Sequence, residues 1–117
     1  MPVEVALLAP APVPIEGQRE LAEAMNPPMI AAETRGGGTT DFTEFDGTPV
    51  LTLGRARVVE TQTDLRRVYQ DEVTVPDDTG CWYEGVVPYS NHERGIALMM
   101  ALAEISEGQA VVRGIRL

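Results

Sequence analysis

The segment TRGGGTTDFTEFDGTP, residues 34–49, carries residue types that suit two kinds of site. Its three glycines, Gly36–Gly38, could wrap a phosphate, and the acids that follow could contact a cation or a basic partner. A P-loop needs a lysine after its glycines, and a dinucleotide site needs the spacing G-x-G-x-x-G. This chain has no lysine, and GGGTTD does not match that spacing. The segment is therefore interpreted as a connection between two strands or as a recognition loop.

Both phenylalanines of the chain lie in this segment, among its acids. A stretch so rich in glycine and acid is not expected to enter the core, so Phe42 and Phe45 are predicted to be exposed. Exposed aromatic side chains anchor many interfaces, and carboxylates around them favour a basic partner. The predicted partner-binding residues are Asp41, Phe42, Glu44, Phe45 and Asp46.

No arrangement of residues typical of catalysis or metal binding is found. Cys81 and His92 are the only cysteine and histidine, and neither H-x-x-x-H nor C-x-x-C occurs. The acids of DFTEFD lack the glycine placement and closing glutamate of a calcium loop, and neither serine lies in a G-x-S-x-G elbow. Cys81 is expected to be a small core residue. We predict no catalytic residue, no metal site and no cofactor.

The run TPVLTLGRARVVE, residues 48–60, predicts the longest strand, but its alternation is broken. A regular strand would place Leu51 and Leu53 on one face with the arginines that follow. A bulge at Gly54 would shift the phase, so that Ala56 and Val58 turn inward and the arginines point to the open face of the sheet.

Arginines from this strand and from the helix after it are candidate anion-binding residues. They are Arg55, Arg57, Arg66 and Arg67. The alternative is that they form weak ion pairs with nearby acids such as Glu60 and Asp64.

The order of apolar patterns predicts one α+β domain over residues 1–117. We expect a two-layer sandwich, with a mostly antiparallel sheet of about five strands and two to three helices on one face. The predicted strands are Val3–Ala9, Met29–Thr34, 48–60, 81–89 and 109–117, and the predicted helices begin near Pro14, Thr61 and Ser90. The last helix should cross the middle of the sheet. Its apolar surface is wider than the roughly 100° that a one-sided helix needs, so a second copy of the chain is expected to cover it if the sheet does not.

The charge of the chain limits its partners. Eighteen acidic residues against nine arginines give a net charge of −9, which repels nucleic acid and acidic membranes and favours a basic protein. A single cysteine and the lack of a membrane-length apolar segment predict a soluble, cytoplasmic protein.

The predicted function is that of a small acidic, non-enzymatic protein-binding module, of the inhibitor, immunity or assembly type, which acts through the acidic, Phe-bearing loop. One alternative is a structural subunit that forms a homo-oligomer through the helix at 96–105. The other is a small enzyme or ligand-binding domain that uses the arginines to hold an anionic metabolite.

Overall fold

The computed structural model describes residues 2–69, 71 and 73–113, and in these residues seven strands form one antiparallel sheet. The strands are β1 (Val3–Ala9), β2 (Met29–Thr34), β3 (Thr39–Glu44), β4 (Pro49–Gly54), β5 (Arg57–Val58), β6 (Cys81–Val87) and β7 (Gln109–Arg113). The three helices of this part of the chain are α1 (Ile15–Ala24), α2 (Gln62–Tyr69) and α3 (His92–Ser106). The strand order is β2-β3-β4-β6-β1-β7, and β5 pairs with β6. The predicted α+β class is confirmed; residues 114–117 of the last predicted strand lie outside the described residues.

β1 lies between β6 and β7 and is buried on both faces of the sheet. Val3, Val5 and Leu7 pack in one core with α1 and α3, on what we name the covered face. Ala6 and Leu8 pack in a second core with α2, on the opposite or open face. Two helices therefore share one face, as predicted, while α2 covers part of the other. A strand buried on both faces needs a nearly continuous apolar run, which β1 has.

α3 crosses the middle of the covered face, as predicted, and packs against β4, β6, β1 and β7. Leu98, Met99 and Leu102 are fully buried there, so the sheet accounts for much of the apolar surface of this helix. Met100 remains 56% exposed and Ile105 is also exposed. These two residues are five positions apart, about 140° around the helix axis, so they do not form a single stripe. A homo-oligomer through residues 96–105 stays a prediction.

None of the helices in the described part of the chain has both the length and the apolar composition required to cross a membrane.

The break in the alternation after Leu53 is an interruption of the strand and not the predicted bulge. β4 ends at Gly54, and β5 begins after two residues that belong to neither strand. Ala56 packs against the same core as Leu53, as predicted. Val58 is exposed, contrary to the prediction, because within the described residues the short β5 has extensive contacts with β6 alone.

The glycine-rich segment forms a tight turn between β2 and β3. Arg35, Gly36 and Gly37 have φ angles of 54°, 66° and 86°, a region that glycine enters without strain. The Gly38 N–H donates to the Arg35 carbonyl. The glycines thus meet the conformational needs of a connection between two strands, one of the two interpretations of this segment.

Gly95 allows α3 to approach the sheet closely. A Cβ at this position would lie 2.7 Å from the Val50 carbonyl oxygen and would clash with the side chain of Val87. A Cβ at Gly17, in α1, would meet the Val13 side chain at 3.4 Å, an ordinary contact distance.

These two glycines should respond in opposite ways to alanine. Gly95→Ala should lower the free energy of unfolding by about 2 kcal/mol through overpacking. Gly17→Ala should raise it by roughly 0.5 to 1 kcal/mol, since alanine reduces the entropy of the unfolded chain. Urea denaturation followed by circular dichroism measures both, and a shift of the two variants in the same direction would contradict the packing described for α3.

Candidate functional site

The predicted acidic loop consists of the end of β3 and the turn that leads to β4. Phe42 lies in β3, is 1% exposed and packs in the core of the covered face, so its predicted exposure is wrong. The reason is the alternation of β3, which directs Thr40 and Phe42 to the covered face and Asp41 to the open face. This alternation is visible in TTDFTE and indicates the burial of Phe42 better than the surrounding composition does.

The hairpin tip, residues 45–48, presents Phe45 on a well-defined turn. Phe45 is 69% exposed, as predicted. The Thr48 N–H donates to Asp46 Oδ1 at 2.9 Å, and the Gly47 N–H donates to the Glu44 carbonyl at 3.0 Å. Hydrogen bonds from Thr48 hold the pKa of the Asp46 carboxyl below its usual value. The tip therefore combines an exposed aromatic ring with an ionised carboxylate.

Glu44 is engaged within the chain. Arg94 Nη2 donates to Glu44 Oε1 at 2.7 Å and Arg94 Nε donates to Oε2 at 3.2 Å, which makes the pair bidentate. Arg94 also donates to the Pro27 carbonyl at 2.6 Å. The two side chains are only 20% and 24% exposed. The pair joins α3 to β3 and to the α1–β2 connection, so the carboxylate predicted to contact a partner has a structural role.

The four candidate anion-binding arginines do not converge on one point. Arg55 and Arg57 line one shallow cavity with Glu84. Arg66 pairs with Asp77, and Arg67 Nη2 lies 3.0 Å from Asp64 Oδ1. The two arginines of α2 thus follow the alternative interpretation, in which each pairs with a nearby acid.

A groove of about 420 Å³ runs between α2 and the open face of the sheet. We name it the α2 groove. Its apolar lining is formed by Val58, Val59, Leu65, Val68, Tyr69 and Trp82. Its charged lining is formed by Arg57, Glu60, Asp64, Glu84 and Arg113. No sequence pattern indicates this site, because its residues come from four separate elements and the connections between them.

Trp82 forms an aromatic platform in the α2 groove. The Arg57 guanidinium lies 5.0 Å from the centroid of the indole, a distance at which a cation is attracted to the ring face. Arg57 Nη1 is 3.5 Å from Glu84 Oε1. The Tyr69 ring meets the indole edge-on, with centroids 6.4 Å apart, and the Arg113 guanidinium lies 5.1 Å from the Tyr69 centroid. The two aromatic rings therefore lie next to each other in the groove, with one guanidinium group beside each ring.

The groove continues into a second cavity of about 390 Å³ over the part of the open face that α2 leaves uncovered. The two share Tyr69, Glu84 and Arg113. Glu4 and Thr52 add polar groups to this second cavity. The uncovered part of the open face thus carries both polar and apolar side chains next to the aromatic platform.

The residues considered for nucleophilic or metal chemistry have other surroundings. Cys81 is buried, as predicted, and burial raises the pKa of its thiol. His92 Nδ1 lies 2.8 Å from the Tyr89 carbonyl oxygen, and the two rings stack. Within residues 2–69, 71 and 73–113, no three His, Cys, Asp or Glu side chains are arranged to hold a metal ion.

Comparison with known proteins found no matching family model, no similar curated protein and no similar solved structure.

The Arg94–Glu44 pair should stabilise the fold measurably. Arg94→Met leaves the half-buried Glu44 carboxylate without its bidentate partner, and we expect the free energy of unfolding to fall by about 2 kcal/mol. Arg55→Met, at an exposed arginine, should change it by no more than about 0.5 kcal/mol. Chemical denaturation distinguishes the two, and equal effects would refute a structural role for Glu44.

The turn at the hairpin tip should favour the ionised form of Asp46. Its carboxyl should titrate with a midpoint below 3.8, and the turn should lose this stabilisation as the pH falls through that midpoint. Thr48→Val removes the side-chain hydrogen bond and should move the midpoint back toward 3.8. Carbon-detected NMR of the Asp46 carboxyl follows this titration. An unshifted midpoint in the unmodified protein would contradict the described turn.

Proposed function

We propose that the protein is a non-enzymatic binding module that docks on a basic surface of another protein through its hairpin tip. The observation that carries this proposal is the 69% exposure of Phe45 on a hydrogen-bonded turn. A large apolar ring held in water has unfavourable hydration, which burial against a partner removes. Because the turn is already fixed, little conformational freedom is lost on docking.

The charge of the chain supports a basic partner. A net charge of −9 attracts a positively charged surface over a distance of about a Debye length, and Asp46 places a carboxylate next to the aromatic anchor. Electrostatic complementarity of this kind raises association rates and excludes acidic competitors. Among the predicted partner-binding residues, Phe45 and Asp46 form the centre of the contact, and Asp41 lies on the open face.

The surroundings of Cys81 and His92 favour binding over catalysis. A buried thiol with a raised pKa is a poor nucleophile, and His92 is stacked on Tyr89. We assign the module to the inhibitor, immunity or assembly type and to the cytoplasm, where a single reduced cysteine is ordinary.

A photoreactive phenylalanine analogue at position 45 tests the proposal in the native host. It should cross-link to a protein with a basic surface, whereas the same analogue at Arg19, an exposed position on α1, should not. Cross-links of equal yield at both positions would indicate non-specific contact and would count against the hairpin tip.

Purified partner then allows a quantitative measurement. Phe45→Ala should weaken binding by roughly 30-fold, the loss expected for an aromatic hot spot. Asp46→Asn should have a smaller effect that disappears at about 500 mM salt, where exposed charges are screened. Isothermal titration calorimetry measures both variants. An affinity that is unchanged by Phe45→Ala or by salt would overturn the proposal.

A further inference from the structure

We infer that Trp82 and Glu84 form a receptor for an arginine side chain of the partner, and that Arg57 of the chain itself occupies this receptor in the free protein. The inference rests on the proposed function, since it takes the partner to be basic, but it concerns a different surface from the hairpin tip. The receptor would give the module a second contact with its partner, in the α2 groove.

The geometry of Arg57 shows that the site accepts a guanidinium. The group lies over the indole of Trp82 and within ion-pair distance of Glu84, two residues further along the same strand. Residues two apart on a strand point to the same side, so the ring and the carboxylate face the groove together. A planar guanidinium can stack on an aromatic ring while its edge donates to a carboxylate, a combination that lysine reproduces poorly.

Arg57 is held weakly enough for another arginine side chain to replace it. Its side chain is 60% exposed and that of Glu84 is 56% exposed, so water and salt screen their attraction. β5, which carries Arg57, is two residues long, and among the elements that the structure describes it has extensive contacts only with β6. The arginine can therefore leave the indole without disrupting the core.

The charges of the groove favour a cation over an anion. Three carboxylates, Glu60, Asp64 and Glu84, line it with the guanidinium groups of Arg57 and Arg113. Asp64 is paired with Arg67, so Glu60 and Glu84 are the acids that an incoming cation would meet. An anion approaching Arg57 would come close to Glu84, which lies 3.5 Å from that guanidinium. An incoming arginine would instead meet Glu84 directly.

The apolar lining suits the rest of an arginine side chain. Val59 packs against the open-face core and Val68 is exposed, and both residues line the groove. Methylene groups of an arginine stem pack readily against such surfaces while the charged end stays near water. The occupant is thus an arginine-bearing segment of a basic protein.

The fluorescence of Trp82, the only tryptophan of the chain, reports on the receptor directly. The probes are an oligoarginine peptide, an oligolysine peptide of equal length and an oligocitrulline peptide, which keeps the planar end group without its charge. We expect oligoarginine to change the emission at several-fold lower concentration than oligolysine, and oligocitrulline to have no effect.

Two variants of equal charge distinguish displacement of Arg57 by the peptide from general attraction of the peptide to an acidic protein. Arg57→Ala and Arg66→Ala both remove one positive charge from exposed arginines. If Arg57 competes for the receptor, Arg57→Ala should bind oligoarginine about fivefold more tightly, the factor for one exposed cation–π contact. Arg66→Ala should change the affinity much less, and Glu84→Gln should weaken it.

The inference requires that Arg57→Ala increases the affinity for oligoarginine. Weaker binding of oligoarginine by this variant, or equal strengthening by Arg66→Ala, would overturn it. Inorganic phosphate or benzoate could also change the emission of Trp82. If that change were lost in Arg57→Ala, the site would bind anions and the inference would be overturned.

These readouts are independent of the hairpin tip, since Phe45→Ala should leave the peptide response of Trp82 unchanged. Failure of cross-linking at position 45 with an intact oligoarginine response would refute the proposed docking surface alone. The reverse pattern would refute the receptor alone.

Discussion

Burial of β1 on both faces is the constraint on which the rest of the structure depends. Its side chains alternate between two cores, so apolar groups must cover the sheet on each side. α1 and α3 cover one face, whereas the eight residues of α2 cover only part of the other. The remaining area is filled by small and polar side chains such as Thr52 and Glu4. The second cavity, next to the α2 groove, lies over the part of the open face that α2 leaves uncovered.

The same constraint explains why both proposed contact surfaces lie away from the covered face. The side of the sheet that packs on α1 and α3 is filled to the density at which Gly95 cannot accept a methyl group. The two proposed contact surfaces are accordingly the turn between β3 and β4 and the open face. At the turn, the ring of Phe45 is exposed to water. On the open face, the ring of Trp82 lies under the guanidinium of Arg57. In the proposed complex, a partner would replace water around Phe45 and would replace Arg57 over the Trp82 ring.

Much of the fold was predictable from local patterns. The apolar run of β1 and the wide apolar surface of α3 indicate a central strand and a central helix, since both signals arise from neighbouring residues. Phe42 was wrongly predicted because the composition around it was given more importance than the alternation of β3. The α2 groove was not predictable, because Arg57 and Trp82 are separated by a helix and a long connection and meet only through the pairing of β5 with β6. The sequence contains no local signal for that pairing.

The position of β1 also has a consequence for the order in which the chain can fold as it leaves the ribosome. β1 pairs only with β6 and β7, and the paired residues are about 70 to 110 positions apart in the sequence. The hairpins β2–β3 and β3–β4 use neighbouring segments and can form early. During synthesis β1, the most apolar strand, thus remains unpaired until β6 and β7 have been made. Until then its apolar side chains are exposed. Chaperones that bind extended apolar segments have a natural target in Val3–Ala9 during that interval.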